Sequence, residues 1–219
     1  PVMLKISPSV LNADYLTLAN EIKILEAAGV DMLHLDVMDG IFVPNISFGV
    51  PVIQSIKKHT RLPLDVHLMI DRPHRYIEQF AKVADILGFH YEAGSNVANT
   101  LREIRALGVK NCLTIKPQTP AEAIFEYLPL CDMVLIMSVE PGFGGQSFMP
   151  SSLKKAAALR QQAGKLGLNF DIEIDGGINR ETAALAVQHG VNVLVAGSYL
   201  VGAPNAAERV QQLKALENA

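Results

Sequence analysis

The chain alternates short apolar runs with amphipathic segments of helical spacing, and it completes eight such pairs from end to end. Strands that alternate with helices pair in parallel, and eight β-then-α units close into a (β/α)₈ TIM barrel. We therefore predict an α/β fold with a single domain over residues 1–219. An open doubly wound sheet is the alternative, and it is disfavoured because no Gly-rich dinucleotide motif follows the first strand.

The boundaries of the predicted elements follow from this alternation. Strands are expected at Leu4–Ser9, Met32–Val37, Leu64–Met69, Ile86–His90, Asn111–Ile115, Met133–Val139, Asn169–Asp175 and Asn192–Ala196. The first helix is expected between a cap at Asp14 and a stop at Gly29. The other helices are expected at Val50–His59, Pro73–Lys82, Val97–Leu107, Pro120–Tyr127, Ser152–Leu166, Arg180–His189 and Ala206–Leu216.

Composition excludes several classes of protein. Apolar residues make up 49% of the chain, which indicates a well-buried domain, and the net charge of -3 predicts no nucleic-acid partner. No apolar run approaches the roughly 18 residues of a membrane span, and no signal peptide is visible. Cys112 and Cys131 lack ligand spacing and are interpreted as buried thiols in a reducing compartment, so we expect a cytoplasmic protein. The outward faces of the helices are apolar enough to permit an oligomer, and we expect a homo-oligomer.

The second strand carries an imidazole and a carboxylate on one face. Because side chains alternate along a strand, His34 and Asp36 point one way, while Leu33, Leu35 and Val37 point the other way. Both polar groups are costly to bury on an apolar strand unless a partner satisfies them. A metal ion and a structural His–Asp hydrogen bond both meet that need, so this pair alone leaves the two interpretations open.

Further candidate residues stand at the carboxyl ends of the predicted strands, where such barrels place their active sites. They are Ser9, His34, Asp36, His67, the segment Pro141–Gln146, Asp175–Gly177, and Gly197 with Ser198. Two imidazoles and two carboxylates from three strands form a mixed nitrogen and oxygen set. That set, His34, Asp36, His67 and Asp175, suits one divalent ion, Zn²⁺, Fe²⁺, Co²⁺ or Mn²⁺.

The remaining histidines are weaker candidates. His59, His74 and His189 fall in helical or loop segments and are expected at the surface. His90 ends the fourth strand and can face the site, but a structural role is favoured for it.

Pairs of residues that contain glycine follow strands six, seven and eight. They are Gly144–Gly145, Gly176–Gly177 and Gly197–Ser198. Glycine lets backbone N–H groups approach an anion closely, and phosphate binding after strands seven and eight recurs in these barrels. The three pairs together predict a phosphate site beside the candidate metal site. The segment Gly142–Gly145 is flexible enough to close as a lid.

Two long motifs are present, LHLDVMDGIFVPN at residues 33–45 and LIMSVEPGFGGQSF at residues 135–148. Both resemble signatures of the ribulose-phosphate 3-epimerase family. Shorter matches are SPS at 7–9, HLM at 67–69, IDGGI at 174–178 and AGS at 196–198, so the likeness covers the whole chain. Ser138 stands where threonine is more common in the family.

The resemblance implies an isomerase of the pentose phosphate pathway that interconverts D-ribulose 5-phosphate and D-xylulose 5-phosphate by inversion at C3. It makes His34, Asp36, His67 and Asp175 the metal ligands, with Asp36 as proton acceptor and Asp175 as proton donor. The substrate contacts that it implies are Ser9, His67, Gly142, Phe143, Gly144, Gly145, Asp175, Gly176, Gly177, Gly197 and Ser198.

That reaction requires charge stabilisation and two proton-transfer groups. Loss of the C3 proton beside the C2 ketone gives an ene-diolate, and a divalent ion stabilises its charge as a Lewis acid. Inversion needs a base on one face and an acid on the other, which two aspartates on well-separated strands can supply. Met38, Met69 and Met137 also end strands on the inner face. They are either a polarizable lining for the ene-diolate or ordinary core filling.

Other phosphate-binding barrels are rivals. A Schiff-base aldolase needs an inward lysine, which the sixth strand lacks. Related decarboxylases and hexulose-phosphate synthases carry an Asp-x-Lys-x-x-Asp pattern, and Met38 stands at the lysine position. An epimerase of a six-carbon ketose phosphate, such as allulose 6-phosphate, and a non-catalytic phosphosugar-binding barrel remain as alternatives.

Overall fold

Eight parallel strands form the barrel that the alternation predicts. They are β1 Lys5–Pro8, β2 Leu33–Met38, β3 Leu64–Met69, β4 Ile86–His90, β5 Lys110–Ile115, β6 Met133–Met137, β7 Asp171–Asp175 and β8 Val193–Ala196. In this computed structural model residues 3–218 are described. Pro1 and Val2, which the sequence places just ahead of the first strand, and Ala219 lie outside the described residues.

The sheet runs in the order β1-β8-β7-β6-β5-β4-β3-β2, and its two end strands meet. Ser9 bridges in parallel to His34, and the Val10 N–H donates to the His34 carbonyl at 3.3 Å. Lower in the barrel the Asp31 N–H donates to the Ile6 carbonyl at 2.9 Å. The sheet therefore closes on itself, and it does so at the rim that carries two of the predicted site residues.

Helices surround the barrel and connect successive strands. They are α1 Leu18–Ala28, α2 Val50–His59, α3 Ile77–Ala81, α4 Val97–Ala106, α5 Ser152–Leu166, α6 Arg180–Gln188 and α7 Ala206–Lys214. Their buried faces pack on the outward side chains of the strands in one continuous apolar core. No helix among residues 3–218 combines the length and the apolar character that crossing a membrane requires.

Two of the predicted helices are wrong in type. The segment expected at Pro120–Tyr127 is a 3₁₀ helix over Ala121–Leu130 with Pro129 inside it. Proline cannot donate an i→i−4 hydrogen bond, so this proline-containing connection takes the tighter turn instead. The helix expected at Pro73–Lys82 divides into a 3₁₀ turn, Pro73–Arg75, and α3, because Tyr76 between them adopts non-helical backbone angles.

The cap predicted for the first helix is also wrong. Thr17 occupies the N-cap position, and Asp14 instead accepts a hydrogen bond from the Leu16 N–H within the preceding turn. The predicted stop is confirmed, since Gly29 closes α1 with φ of 86°. Cys112 and Cys131 are free and buried, as predicted.

Two buried polar side chains on β5 offer a matched test of what holds the barrel to its outer layer. Asn111 faces outward, donates to the carbonyls of Leu101 and Leu130 at 2.9 Å each, and accepts from the Asp132 N–H at 2.8 Å. The Thr114 hydroxyl, on the inner face, has no hydrogen-bond partner among the described residues.

We expect Asn111→Leu to lower the free energy of unfolding by about 3 kcal/mol, because the Leu101 and Leu130 carbonyls and the Asp132 N–H each lose a hydrogen bond to this side chain. Thr114→Val should change it by less than about 1 kcal/mol, or raise it, because no hydrogen bond is lost. Urea unfolding of both variants measures the difference. Equal destabilisation by the two substitutions would show that the hydrogen bonds of Asn111 do not carry this contribution.

Candidate active site

The predicted metal ligands converge at the carboxyl end of the barrel. His34, Asp36, His67 and Asp175 each offer one ligand atom within 4.8 Å of the others. His34 Nε2 lies 3.2 Å from Asp36 Oδ1 and 3.6 Å from Asp175 Oδ2. His67 Nδ1 lies 3.0 Å from Asp36 Oδ1, 3.9 Å from Asp175 Oδ2 and 3.3 Å from His34 Nε2. The strands β2, β3 and β7 thus bring all four side chains to one point.

These distances fit a single divalent ion. A tetrahedral ion with bonds of about 2.1 Å holds its ligand atoms about 3.4 Å apart. The separations between the imidazole nitrogens and the carboxylate oxygens run from 3.0 to 3.9 Å. Two imidazoles and two carboxylates also match the ligand preference of Zn²⁺, Fe²⁺, Co²⁺ and Mn²⁺. The residues present therefore fit the ion that the sequence predicts.

The electrostatics of the cluster favour a cation. Burial by itself would lower the pKa of His34, but the carboxylates of Asp36 and Asp65 beside it raise that pKa well above its usual value. Burial would likewise raise the pKa of Asp36, yet His34 and His67 hold it far below its usual range. The shift of His34 expresses the excess of carboxylate charge around this imidazole, which a divalent ion would neutralise, and the shift of Asp36 favours its charged form beside the two imidazoles.

A buried carboxylate orients His34 from below. His34 Nδ1 lies 2.7 Å from Asp65 Oδ2, so an Nδ1–H donor leaves Nε2 to face the cluster. Glu173 Oε1 lies 3.5 Å from the same nitrogen, but neither of its oxygens has a hydrogen-bond partner among the described residues. Burial and the neighbouring Asp65 raise the pKa of Glu173 well above its usual value, which favours its neutral form.

Sequence reasoning did not single out Asp65 or Glu173. The available signal was spacing, because each stands two residues before a predicted ligand, His67 or Asp175, and so shares its strand face.

A second chain of hydrogen bonds orients His67. Its Nε2 lies 2.8 Å from His90 Nε2, and His90 Nδ1 lies 3.3 Å from Glu92 Oε2. The ring centroids of His67 and His90 are 5.0 Å apart and the planes differ by 24°, so the contact between the nitrogens runs nearly in the plane of both rings. Burial lowers the pKa of His90 to about 4, which keeps it neutral.

With both histidines neutral, one assignment of protons satisfies this chain. The Nδ1–H of His90 donates to Glu92, its Nε2 accepts from the Nε2–H of His67, and His67 Nδ1 is left to face the cluster. His90 therefore reaches the cluster through His67 and does not enter it.

The other histidines lie away from the cluster. The side chains of His59 and His74 are exposed and that of His189 is half-buried.

A cavity of about 560 Å³ opens above the cluster. His34 and His67 lie beneath its floor, whereas Asp36 and Asp175 reach it. The other predicted contact residues that line it are Ser9, Gly142, Phe143, Gly144, Gly145, Gly176, Gly177, Gly197 and Ser198. The methionines at the strand ends, Met38, Met69 and Met137, line it as well. Ser9 donates to Asp36 Oδ2 at 2.6 Å and so fixes that carboxylate at the floor.

The predicted lid lies over the cavity and is held from both sides. Asn45, in the loop after β2, donates to the Gly142 carbonyl at 2.9 Å. Gln146 donates to the carbonyls of Glu140 and Phe143 at 2.7 and 2.8 Å. The loop is therefore a defined turn that Asn45 joins to the loop after β2 by a side-chain hydrogen bond, and its Gly144 packs closely against Asn12 in the loop after β1.

The glycines of the rim have two different reasons to be glycine. At Gly177, with φ of 66°, an added Cβ would lie 2.4 Å from the Phe148 nitrogen. Glycine is therefore required where Phe148, just after the lid, packs against the barrel. At Gly197 an added Cβ would meet nothing within 4 Å, so the space beside that backbone belongs to the cavity. Of these two glycines, only Gly197 leaves room for a bound group.

Barrels of this architecture carry their reactive groups at the carboxyl ends of the strands, and the buried cluster beneath the cavity lies there. The chain is accordingly an enzyme of the (β/α)₈ class.

A model of the ribulose-phosphate 3 epimerase family matches residues 5–201. A Bacillus subtilis (strain 168) protein named ribulose-phosphate 3-epimerase is 44% identical over 214 residues, which are 97% of this chain and 99% of that protein. A Synechocystis protein of the same name is 47% identical over 94% of this chain and 90% of its own length. The chain belongs to the ribulose-phosphate 3-epimerase family.

Solved structures of low sequence identity share the fold alone. Orotidine 5'-phosphate decarboxylase from Pyrococcus horikoshii OT3 superposes with a TM-score of 0.67 at 14% identity, covering 98% of this chain and 99% of that one. The 3-hexulose-6-phosphate synthase from Salmonella typhimurium gives 0.68 at 15% identity, covering 97% and 98%.

Glu92 provides a test of the hydrogen-bond chain behind His67. Burial opposes its charge, but donation from His90, Thr119 and the Lys116 N–H lowers the pKa of Glu92 to about 2. A carboxylate with a lowered pKa stabilises the fold above its unfolded pKa of about 4.5 and loses that contribution as the pH falls toward 2.

We expect Glu92→Gln to lower the free energy of unfolding at pH 7 by about 1–3 kcal/mol. The difference from wild type should shrink between pH 5 and pH 3, which denaturant titrations at each pH would measure. Glu122→Gln, at an exposed glutamate, should change nothing at either pH. A difference that stays constant with pH would mean that the charge of Glu92 contributes nothing.

Proposed function

We propose that the chain interconverts D-ribulose 5-phosphate and D-xylulose 5-phosphate by inversion at C3, as a step of the pentose phosphate pathway. The observation that carries this proposal is the cluster of His34, Asp36, His67 and Asp175 beneath the cavity, whose floor Asp36 and Asp175 reach. The names of the relatives at 44% and 47% identity support it. We propose the same residues, together with those of the rim, as the binding site for a small phosphorylated ketose.

One divalent ion, Zn²⁺, Fe²⁺, Co²⁺ or Mn²⁺, would be held by His34, Asp36, His67 and Asp175. When bound, it supplies Lewis-acid stabilisation of negative charge on the substrate oxygens. The chain's own contribution is to hold the donors at fixed positions before the ion arrives. Asp65 fixes His34, and His90 with Glu92 fixes His67, so both imidazoles present the correct nitrogen.

The two aspartates divide the proton transfers. Asp36 on β2 would accept the C3 proton, and the Ser9 hydroxyl at 2.6 Å holds it in position. Asp175 on β7 would deliver a proton to the opposite face, and the ene-diolate lies between these two steps. The side chain of Asp175 is 17% exposed against 5% for Asp36, so Asp175 is the carboxyl with readier access to solvent protons.

The remaining contacts would orient the sugar. Gly176, Gly177, Gly197 and Ser198 would bind the phosphate, and Gly142–Gly145 would cover the substrate.

We propose a cytoplasmic homo-oligomer. An epimerase of a six-carbon ketose phosphate is the alternative within the same chemistry. Comparing kcat/KM for ribulose 5-phosphate and allulose 6-phosphate would separate the two.

The metal assignment predicts loss and recovery of activity. Stripping with a chelator should abolish epimerisation of ribulose 5-phosphate, and adding one of the four ions should restore it. His67→Gln should lose bound metal and lower kcat by about 100-fold or more. His74→Gln, at an exposed histidine, should keep both. Full activity in a preparation shown by elemental analysis to be metal-free would overturn the assignment.

The division of roles between Asp36 and Asp175 predicts an isotope pattern. In D₂O, xylulose 5-phosphate formed early from ribulose 5-phosphate should carry deuterium at C3, because the delivering carboxyl exchanges with solvent before its turn. Unreacted ribulose 5-phosphate should stay largely protiated. Mass spectrometry of both sugars at low conversion measures this. Early product that retains most of its protium would indicate a single base and exclude the two-aspartate scheme.

A further inference from the structure

The cavity has an uneven distribution of charge. Among the described residues that line it, three carry carboxylates, Asp36, Glu140 and Asp175, and Arg209 alone carries a permanent positive charge. A divalent ion would offset the two aspartates, and Glu140 is turned to a hydrogen bond with Gln118. A phosphate monoester brings a further charge of about −1.5 to −2 near neutral pH. Arg209 is therefore the one lining side chain whose charge is complementary to that group.

Arg209 is fixed beside the loop that follows β8. It belongs to the first turns of α7, and its Nη1 donates to the Tyr199 carbonyl at 2.7 Å. The guanidinium carbon also lies 4.7 Å from the centroid of the Tyr199 ring. Because Tyr199 directly follows Gly197 and Ser198, the guanidinium is held near the open space beside Gly197. Little side-chain entropy would be lost on binding, since these two contacts already order it.

Two lysines at this end of the barrel are engaged elsewhere. Lys116 follows β5, but its ammonium lies 4.1 Å above the ring of Phe42, and the side chain does not line the cavity. Lys155 donates to the carbonyls of Lys116 and Pro117 and does not line it either.

We propose that Arg209 binds the phosphate of the substrate and so selects phosphorylated over unphosphorylated ketoses. Guanidinium donors form paired hydrogen bonds with phosphate oxygens, and the N–H groups not given to Tyr199 are available for this. Arg209 supplies the positive charge that the glycine backbone of the rim lacks. The identity of the sugar rests on the proposed function, but the affinity for phosphate does not.

The test compares Arg209→Gln with Lys214→Gln, which removes the same charge from the same helix outside the cavity. Calorimetry with inorganic phosphate is run on metal-loaded and metal-free protein. Arg209→Gln should raise Kd for phosphate about 10-fold in both states, and Arg209→Lys should raise it about threefold. KM for ribulose 5-phosphate should rise in parallel, while metal content stays within about twofold of wild type. Lys214→Gln should match wild type throughout.

Equal phosphate affinity in Arg209→Gln and Lys214→Gln would overturn the proposal. If Arg209→Gln does not fold, Arg209→Lys decides: unchanged affinity for phosphate in that variant is then the contradicting result. Failure of the proposed function is a separate outcome. A wild-type protein that does not epimerise ribulose 5-phosphate, yet binds phosphate through Arg209, would contradict the reaction and support the site.

Discussion

Burying carboxylates beside imidazoles at one end of a barrel is the constraint on which this site depends. Asp36 is 4% exposed and His34 is fully buried, and neither would remain charged in an apolar interior without the other. Every polar contact around them follows from that cost. Ser9 satisfies one oxygen of Asp36, His67 approaches the other, and Asp65 satisfies the far nitrogen of His34.

The same cost explains why the site is organised as two supporting chains of hydrogen bonds. One runs from Asp65 to His34, and the other runs from Glu92 through His90 to His67. Each ends in a nitrogen that faces the cluster, so both imidazoles are set in the tautomer that a metal ion accepts. The rigidity of β2, β3 and β4 then holds the donors in place, because all three strands are buried on both faces.

Packing and binding make competing demands on the glycines of the rim. Gly177 lies against the backbone of Phe148, so its small size lets the segment after the lid pack against the barrel. Gly197 borders open space, and Arg209 lies beside the same loop. A glycine motif in the sequence thus combines residues that shape the chain with residues that leave room for a ligand.

The eight-unit alternation, the parallel barrel and the shared face of His34 and Asp36 could be predicted from the sequence, because these depend on local periodicity. The sequence also predicted candidate metal ligands at the strand ends, where the structure brings them within 4.8 Å of one another. The sequence did not predict that Asp65 lies under His34, that His90 contacts His67, or that Arg209 lines the cavity. These contacts join residues on different strands, or on a strand and a distant helix. The relative stagger of the strands and the closure of the barrel set them, and neither is encoded in any one segment.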